Sequence, residues 1–154
     1  MRGTPLRKHS LLVRGDRVSG IAIMSLSGIL DVSVSKGTTN GDTFYDFVQK
    51  YLLPQLQPFN GCNPHSVVVM DNCTIHHVHE VVKMIEEVGA IVQFLPPYSP
   101  DLNPIEEAFS KVKSELKSLE RIMDISDIET IMLAAFASIS QLDCQGWISH
   151  CDIY

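Results

Sequence analysis

The chain has 154 residues, of which 45% are hydrophobic and 19% are charged, which suits one globular domain with one core. No apolar run approaches the roughly 20 residues that a membrane-spanning helix needs, and no apolar segment of a secretory signal follows Met1. We therefore expect a single intracellular domain with no membrane partner.

The net charge of −6 at pH 7 argues against a free-standing nucleic-acid-binding protein, because such proteins are usually basic. Basic residues are nevertheless concentrated in two places. Residues 1–17 contain five of them against the single acid Asp16. A second group comprises Lys111, Lys113, Lys117 and Arg121. Such patches fit a DNA-processing core whose affinity comes from a separate domain, and ordinary solvated surface charge is the alternative.

The four cysteines form no C-x-x-C pair, and without a secretory signal reduced thiols are expected. Cys73 and three nearby histidines have the residue types of a zinc site. Their spacing matches no usual zinc module, so we interpret them as ordinary scattered residues.

The first half of the chain predicts strands followed by one helix. Residues 1–16 are basic and irregular, whereas residues 17–25 and 29–35 alternate between apolar and polar types around a Ser27-Gly28 turn signal. This pattern is typical of an antiparallel hairpin. A helix is predicted over residues 42–53, and Pro54 ends it.

The second half predicts two buried strands alternating with helices. The short run of residues 66–70 and the run of residues 90–95 are the strands. Apolar spacing predicts the helices over residues 78–88, 104–119 and 127–140. A hairpin followed by strands joined through helices predicts an α/β fold with a mixed sheet and helices on both faces.

Two acidic residues lie where sites form in open α/β sheets, at or just beyond the carboxyl ends of strands. Asp71 ends the strand over residues 66–70, and Glu106 lies in the first turn of the helix after the next strand. Each also has a structural explanation. Glu106 occupies the capping-box position behind Asn103 and Pro104, and Asp71 could simply end a strand and cap a turn.

Two segments resemble motifs of mariner-type DDE transposases. Residues 68–76, VVMDNCTIH, are similar to the motif of the second aspartate, and residues 95–106, LPPYSPDLNPIE, to the motif of the third carboxylate. The 34 residues between Asp71 and Glu106 match the mariner-type spacing. Upstream, Arg14-Gly15-x-Arg17-x-Ser19 and residues 37–40 resemble the family's hairpin and following loop, so the resemblance covers nearly the whole chain.

The resemblance implies a ribonuclease-H-like mixed sheet flanked by helices, and metal-dependent cleavage and transfer of DNA strands in transposition. Asp71 and Glu106 would be two of the three carboxylates that hold two Mg²⁺ or Mn²⁺ ions. The partners would be transposon-end DNA and a second copy in a homodimer, with no small-molecule substrate, in the nucleus of a eukaryotic cell. Candidate DNA contacts are Arg14, Arg17, His76, Lys113 and Lys117.

The family's first aspartate has no counterpart in residues 1–16. It belongs on a central first strand, and residues 1–16 show no apolar strand ending in Asp. Neither Asp16 nor Asp31 fits the role. We therefore expect residues 1–154 to be a single, N-terminally incomplete catalytic domain without a helix-turn-helix region, with the central strand missing and the metal site incomplete.

The gap left by a missing central strand has two possible repairs. Residues 10–13 would form a short substitute strand, or the hairpin would pair directly with residues 66–70, and unpaired edges would then promote aggregation. We expect the chain to be inactive alone. The alternatives are a non-catalytic transposon-derived relic that binds DNA or protein, and an unrelated metal-dependent phosphatase or nuclease.

Overall fold

The computed structural model describes residues 3–13, 16–37, 40–71, 78–97, 102–121 and 127–151. For residues 3–13, 16, 17 and 120 it describes the backbone only.

The described residues include the strands β1 (Gly3–Val13), β2 (Asp16–Ser25), β3 (Gly28–Lys36), β4 (Val67–Met70) and β5 (Ile91–Phe94). They form one mixed sheet in the order β3-β2-β1-β4-β5. The pairs β1–β2 and β2–β3 are antiparallel, whereas β1–β4 and β4–β5 are parallel. The predicted hairpin and the two later strands are therefore confirmed.

The expectation that the central strand is missing is wrong. Strand β1 occupies the centre of the sheet, pairing with β2 from Leu6 to Val13 and with β4 from Gly3 to Leu6. The predicted substitute strand is thus real but longer than residues 10–13. Sequence propensity failed here because pairing with β4 and β2 outweighs the weak strand preference of these residues. Pro5 lies near the start of β1, where the strand pairs with β4 alone, since the pairing with β2 begins at Leu6.

Helices cover both faces of the sheet. Their bounds are α1 (Gly41–Phe47), α2 (Val78–Glu87), α3 (Ile105–Glu120), α4 (Ile128–Ala137) and α5 (Gln141–Cys151). Helices α1 and α2 pack on one face, and α3, α4 and α5 pack on the other. None of the described helices is both long enough and apolar enough to cross a lipid bilayer.

Strand β2 separates two apolar cores because its side chains alternate between the two faces. Val18, Ala22 and Met24 join the core with α3, α4 and α5. Ile21 and Ile23 join the core with α1 and α2. Burial of β2 on both faces makes it an inner strand, which agrees with its pairing on both edges.

Two predicted helices differ from the structure, and one helix was not predicted. The helix predicted over residues 42–53 is α1 followed by a π-helical turn over Val48–Leu52 and a 3₁₀ turn over Leu53–Gln55, which contains Pro54. The helix predicted over residues 127–140 ends at Ala137, and α5 was missed because its apolar residues give little helical amphipathicity.

The second strand predicted as buried, β5, is an exposed edge strand. Ile91 and Phe94 are 37% and 36% accessible. Apolar composition alone does not distinguish an edge strand from an inner one, because burial depends on which neighbours pair with it.

Gly89 lies in the connection from α2 to β5 and packs against Pro58. Its φ of +89° favours glycine, as predicted for a residue that follows a helix, and an added Cβ would lie 2.9 Å from Pro58 Cβ. Its carbonyl oxygen accepts a hydrogen bond from Phe59 N at 2.8 Å. Gly89 therefore fixes the 56–66 loop beside the start of β5.

We predict that Gly89→Ala lowers the free energy of unfolding by about 1 to 3 kcal/mol, because alanine is strained at positive φ and also collides with Pro58. Gly61→Ala is the matched control, since Gly61 has a φ of +83° but no atom within 4 Å of an added Cβ. Urea unfolding of both variants measures the difference. Equal losses would show that the Pro58 contact contributes nothing.

Candidate functional site

Asp71 directly follows β4, at the end of the sheet where the parallel strands β4 and β5 both finish. Leu95 N donates to Met70 O at 2.9 Å, so the chain leaving β5 is held beside the chain leaving β4. Asp71 is half-buried. The prediction that it ends a buried strand is confirmed, because Val67 to Met70 are all buried.

Asn103 joins Asp71 to the start of α3. Its Nδ2 donates to Asp71 Oδ1 at 2.8 Å, and its Oδ1 accepts from Ile105 N at 3.3 Å. Its backbone carbonyl accepts from Glu106 N at 3.1 Å. Only 1% of Asn103 is accessible to solvent. One buried residue therefore contacts the carboxylate of Asp71 and the backbone of Glu106.

Glu106 lies in the first turn of α3, as predicted, and is half-buried with its Oε1 atom buried. The neighbouring Glu107 is exposed. Pro104 has helical φ and ψ angles of −65° and −19°, and Asn103 Oδ1 accepts from Ile105 N, so Asn103 caps the helix and Glu106 keeps the third helical position that a capping box requires. The capping explanation therefore stays open, and the distance between the carboxyl groups of Asp71 and Glu106 stays a prediction.

Close packing of α3 on β2 holds this first turn against the sheet. Ile105, Phe109, Val112 and Leu116 are at most 1% accessible, which confirms the predicted inner face of the helix. At Gly20 an added Cβ would lie 3.3 Å from Phe109 Cε1, so glycine lets the aromatic ring approach the strand. Phe109 in turn packs edge-on against Phe136 of α4, with ring centroids 5.3 Å apart.

An ion pair attaches α3 to α5. Lys111 Nζ lies 2.9 Å from Asp143 Oδ2, and Asp143 also accepts from Ser140 N in a reciprocal cap of α5. The hydrogen bond from Lys111 lowers the pKa of Asp143, and the same bond raises the pKa of Lys111. The pair stabilises the fold above the ordinary pKa of a carboxyl and below that of an amine, and solvent exposure keeps its contribution small.

None of the described strands places another carboxylate beside Asp71. Residues 3–13 of β1 include no Asp or Glu. Asp31 aligns with Ile23, Leu6 and Met70 across the sheet, so three strand spacings, about 14 Å, separate it from β4. Asp16 pairs with Val13 at the other end of β1. The prediction that neither aspartate takes the first-carboxylate role therefore agrees with the register.

The predicted DNA contacts divide into three groups. Lys113 and Lys117 are exposed, one helical turn apart on α3. Arg17 is described by its backbone alone, at the start of β2. Arg14 and His76 lie outside the described residues, as does Cys73 of the zinc alternative.

The donor chemistry of the site fits a hard divalent cation. Mg²⁺ and Mn²⁺ prefer carboxylate oxygens and keep several water ligands, so two carboxylates can hold such an ion weakly. Among the described residues no group of three or more His, Cys, Asp or Glu side chains is placed to bind a metal. Asp71 and Glu106 thus offer a partial set of ligands.

Asn103 is the site residue that sequence analysis valued only as a helix cap. The signal was present in its position before a proline, where a polar residue often caps a helix. Its bond to Asp71 spans 32 positions of sequence. No local pattern predicts a contact between residues so far apart.

Residues 1–129 match the family described as DDE superfamily endonuclease. No curated protein matches the sequence. Several solved structures match the fold over nearly the whole chain.

The catalytic domain of Mos1 mariner transposase has a TM-score of 0.74 at 16% identity, with 98% of this chain and 79% of that chain covered. The Mos1 mariner paired end complex with Mn has a TM-score of 0.69 at 15% identity, covering 96% of this chain and 52% of that one. The catalytic core domain of BIV integrase has a TM-score of 0.55 at 12% identity, covering 88% of this chain and 81% of that one. At these identities the likeness shows a shared fold.

Proposed function

Because the chain belongs to the DDE superfamily endonuclease family and is similar in fold to transposase and integrase catalytic cores, we propose that it binds DNA and a divalent cation. Asp71 and Glu106 would hold the cation. The observation that carries this proposal is the link through Asn103, which joins the carboxylate at the end of β4 to the first turn of α3. We propose that residues 1–154 act as one catalytic-type domain.

The chemistry that the cation would supply when bound is stabilisation of the charge on a scissile phosphate, the established role of such ions in phosphoryl transfer. The chain's own contribution would be to bring the two carboxylates together and to keep them oriented. The buried Ile105 and Phe109 exclude water from beneath the first turn of α3, and a lower local dielectric strengthens the attraction between carboxylates and a cation.

We predict that Asp71→Asn and Glu106→Gln each weaken Mn²⁺ binding by at least about tenfold, because each removes one of two anionic ligands. Isothermal titration calorimetry of the purified chain measures the affinity. Glu107→Gln is the matched control, since it makes the same change on an exposed neighbour. Unchanged affinity in both site variants would exclude these carboxylates as ligands.

A non-catalytic derivative that binds DNA or protein is the second candidate function. The observation in its favour is that β1 fills the central position of the sheet with residues 3–13, which include no Asp or Glu. Two carboxylates alone would bind the cation weakly and leave one side of it without an anionic ligand from the protein.

On this basis we predict that the purified chain does not nick supercoiled plasmid DNA in Mn²⁺ above the level of the Asp71→Asn variant. Agarose-gel electrophoresis of the plasmid measures nicking directly. Nicking that depends on Asp71 would show that two carboxylates suffice for the reaction, and it would favour an active endonuclease over the non-catalytic candidate.

The proposed DNA contacts are Lys113 and Lys117, with Arg14, Arg17 and His76 as further candidates from the sequence. The two lysines are exposed and one turn apart, whereas Lys111 on the same helix pairs with Asp143. With a net charge of −6, attraction to phosphates has to come from such local patches. A homodimer, transposon ends as the DNA and a nuclear location in a eukaryotic cell complete the proposal.

We predict that Lys113→Gln combined with Lys117→Gln reduces affinity for duplex DNA and lowers the slope of log affinity against log salt by about 2, because each lysine at a phosphate releases about one counterion. Fluorescence anisotropy over a range of salt concentrations measures both quantities. Lys83→Gln on the exposed face of α2 is the control. An unchanged slope in the double variant would place the DNA elsewhere.

A further inference from the structure

Asn103 is a buried amide with hydrogen bonds at both ends of its side chain. It is 1% accessible, and burial of a polar side chain is costly unless its donors and acceptors are satisfied. Nδ2 donates to Asp71 Oδ1 at 2.8 Å, and Oδ1 accepts from Ile105 N at 3.3 Å. These two bonds fix which way the amide group faces.

The donor end of the amide acts on the carboxylate. A carboxylate whose Oδ1 accepts a short bond from a buried donor loses the freedom to rotate and exchange its two oxygens. Hydrogen bonds of this kind to ligand side chains orient the ligand, and their loss typically weakens metal binding. Asp71 thus has one oxygen whose direction is set by a residue on another element.

The backbone of the same residue contacts the backbone of Glu106. Glu106 N donates to the carbonyl oxygen of Asn103 at 3.1 Å, in the turn that begins α3. Pro104 restricts Asn103 to extended backbone conformations, so this carbonyl and the side chain are held together. Asn103 therefore links the side chain of Asp71 to the backbone of Glu106.

We propose that Asn103 is a positioning residue, which orients Asp71 toward a divalent cation and sets the placement of Asp71 relative to Glu106. The inference rests on the proposed function, because it assumes that these two carboxylates bind the cation. It goes further by assigning the orientation of the site to an uncharged amide that does not itself have to touch the metal.

A capping role alone makes a different demand on this position. Capping needs only the acceptor Oδ1, and serine serves as well as asparagine in that role. Donation to Asp71 needs the longer side chain with its N–H group. Asn103→Ser therefore keeps an acceptor for Ile105 N and removes the longer amide N–H group that reaches Asp71, which separates the two roles.

The experiment compares Mn²⁺ affinity, by isothermal titration calorimetry, in the wild-type chain, Asn103→Ser and Asn40→Ser. Asn40 is the matched control because its Oδ1 caps α1 through Thr43 N at 2.9 Å, far along the chain from the carboxylates. We expect Asn103→Ser to weaken Mn²⁺ binding about tenfold. Asn40→Ser should leave it unchanged, and thermal melting should show both variants folded.

The outcomes separate this inference from the proposed function. If Asn103→Ser binds Mn²⁺ like the wild type while Asp71→Asn loses binding, the positioning role is wrong and the metal site stands. If Asp71→Asn and Glu106→Gln both keep wild-type affinity, or the wild type binds no Mn²⁺, the metal site fails and the inference fails with it.

A measurement on the wild-type chain covers the case in which Asn103→Ser does not fold. In ¹⁵N-labelled protein the side-chain NH₂ resonances of Asn103 should shift on titration with Mg²⁺, following the saturation curve of the metal. They should also shift in Asp71→Asn, which replaces the charged acceptor. Resonances that stay in place at saturating Mg²⁺ would overturn the proposal.

Discussion

A strand in the middle of a sheet must find backbone partners along both of its edges, and the arrangement of this molecule depends on how β1 meets that requirement. Its first residues pair in parallel with β4, and its longer remaining part pairs antiparallel with β2. Because buried backbone groups without partners cost about 1 to 3 kcal/mol each, this pairing decides whether the antiparallel and parallel halves join into one sheet. The parallel half, β1-β4-β5, then carries the candidate site at the end where β4 finishes.

The position of α3 follows from the sheet. Gly20 on β2 leaves room for Phe109, and that ring packs edge-on against Phe136 of α4. The start of α3 lies beside the end of β4, where Asn103 donates to Asp71. Apolar packing thus places the helix, and one amide links its start to the residue that follows β4.

Sequence patterns predicted the parts of this arrangement that depend on local periodicity. The 3.6-residue spacing of Ile105, Phe109, Val112 and Leu116 correctly predicted the buried face of α3, and the β-branched run before Asp71 correctly predicted a buried strand. Features that depend on distant partners were missed. Strand β1 has weak strand character of its own, and β5 has the composition of a buried strand but an exposed edge position.

The same distinction applies to the candidate site. The spacing and flanking motifs of Asp71 and Glu106 were visible in the sequence, whereas the contact between Asp71 and Asn103 required the fold. A completed sheet also changes what the missing first aspartate means, because residues 3–13 of β1 fill the central position without an Asp or Glu. The central position is occupied by backbone, so stability of the sheet and completeness of the metal site are separate properties of this chain.

The proposed sharing of one divalent cation by the carboxylates of Asp71 and Glu106 is tested most directly by anomalous X-ray scattering from crystals of the chain grown with Mn²⁺. We expect an anomalous peak between the two carboxyl groups, with Asn103 Nδ2 still bonded to Asp71 and outside the coordination sphere. A peak that contacts only one of the two carboxylates, or no peak at this end of the sheet when Mn²⁺ is bound elsewhere, would contradict it.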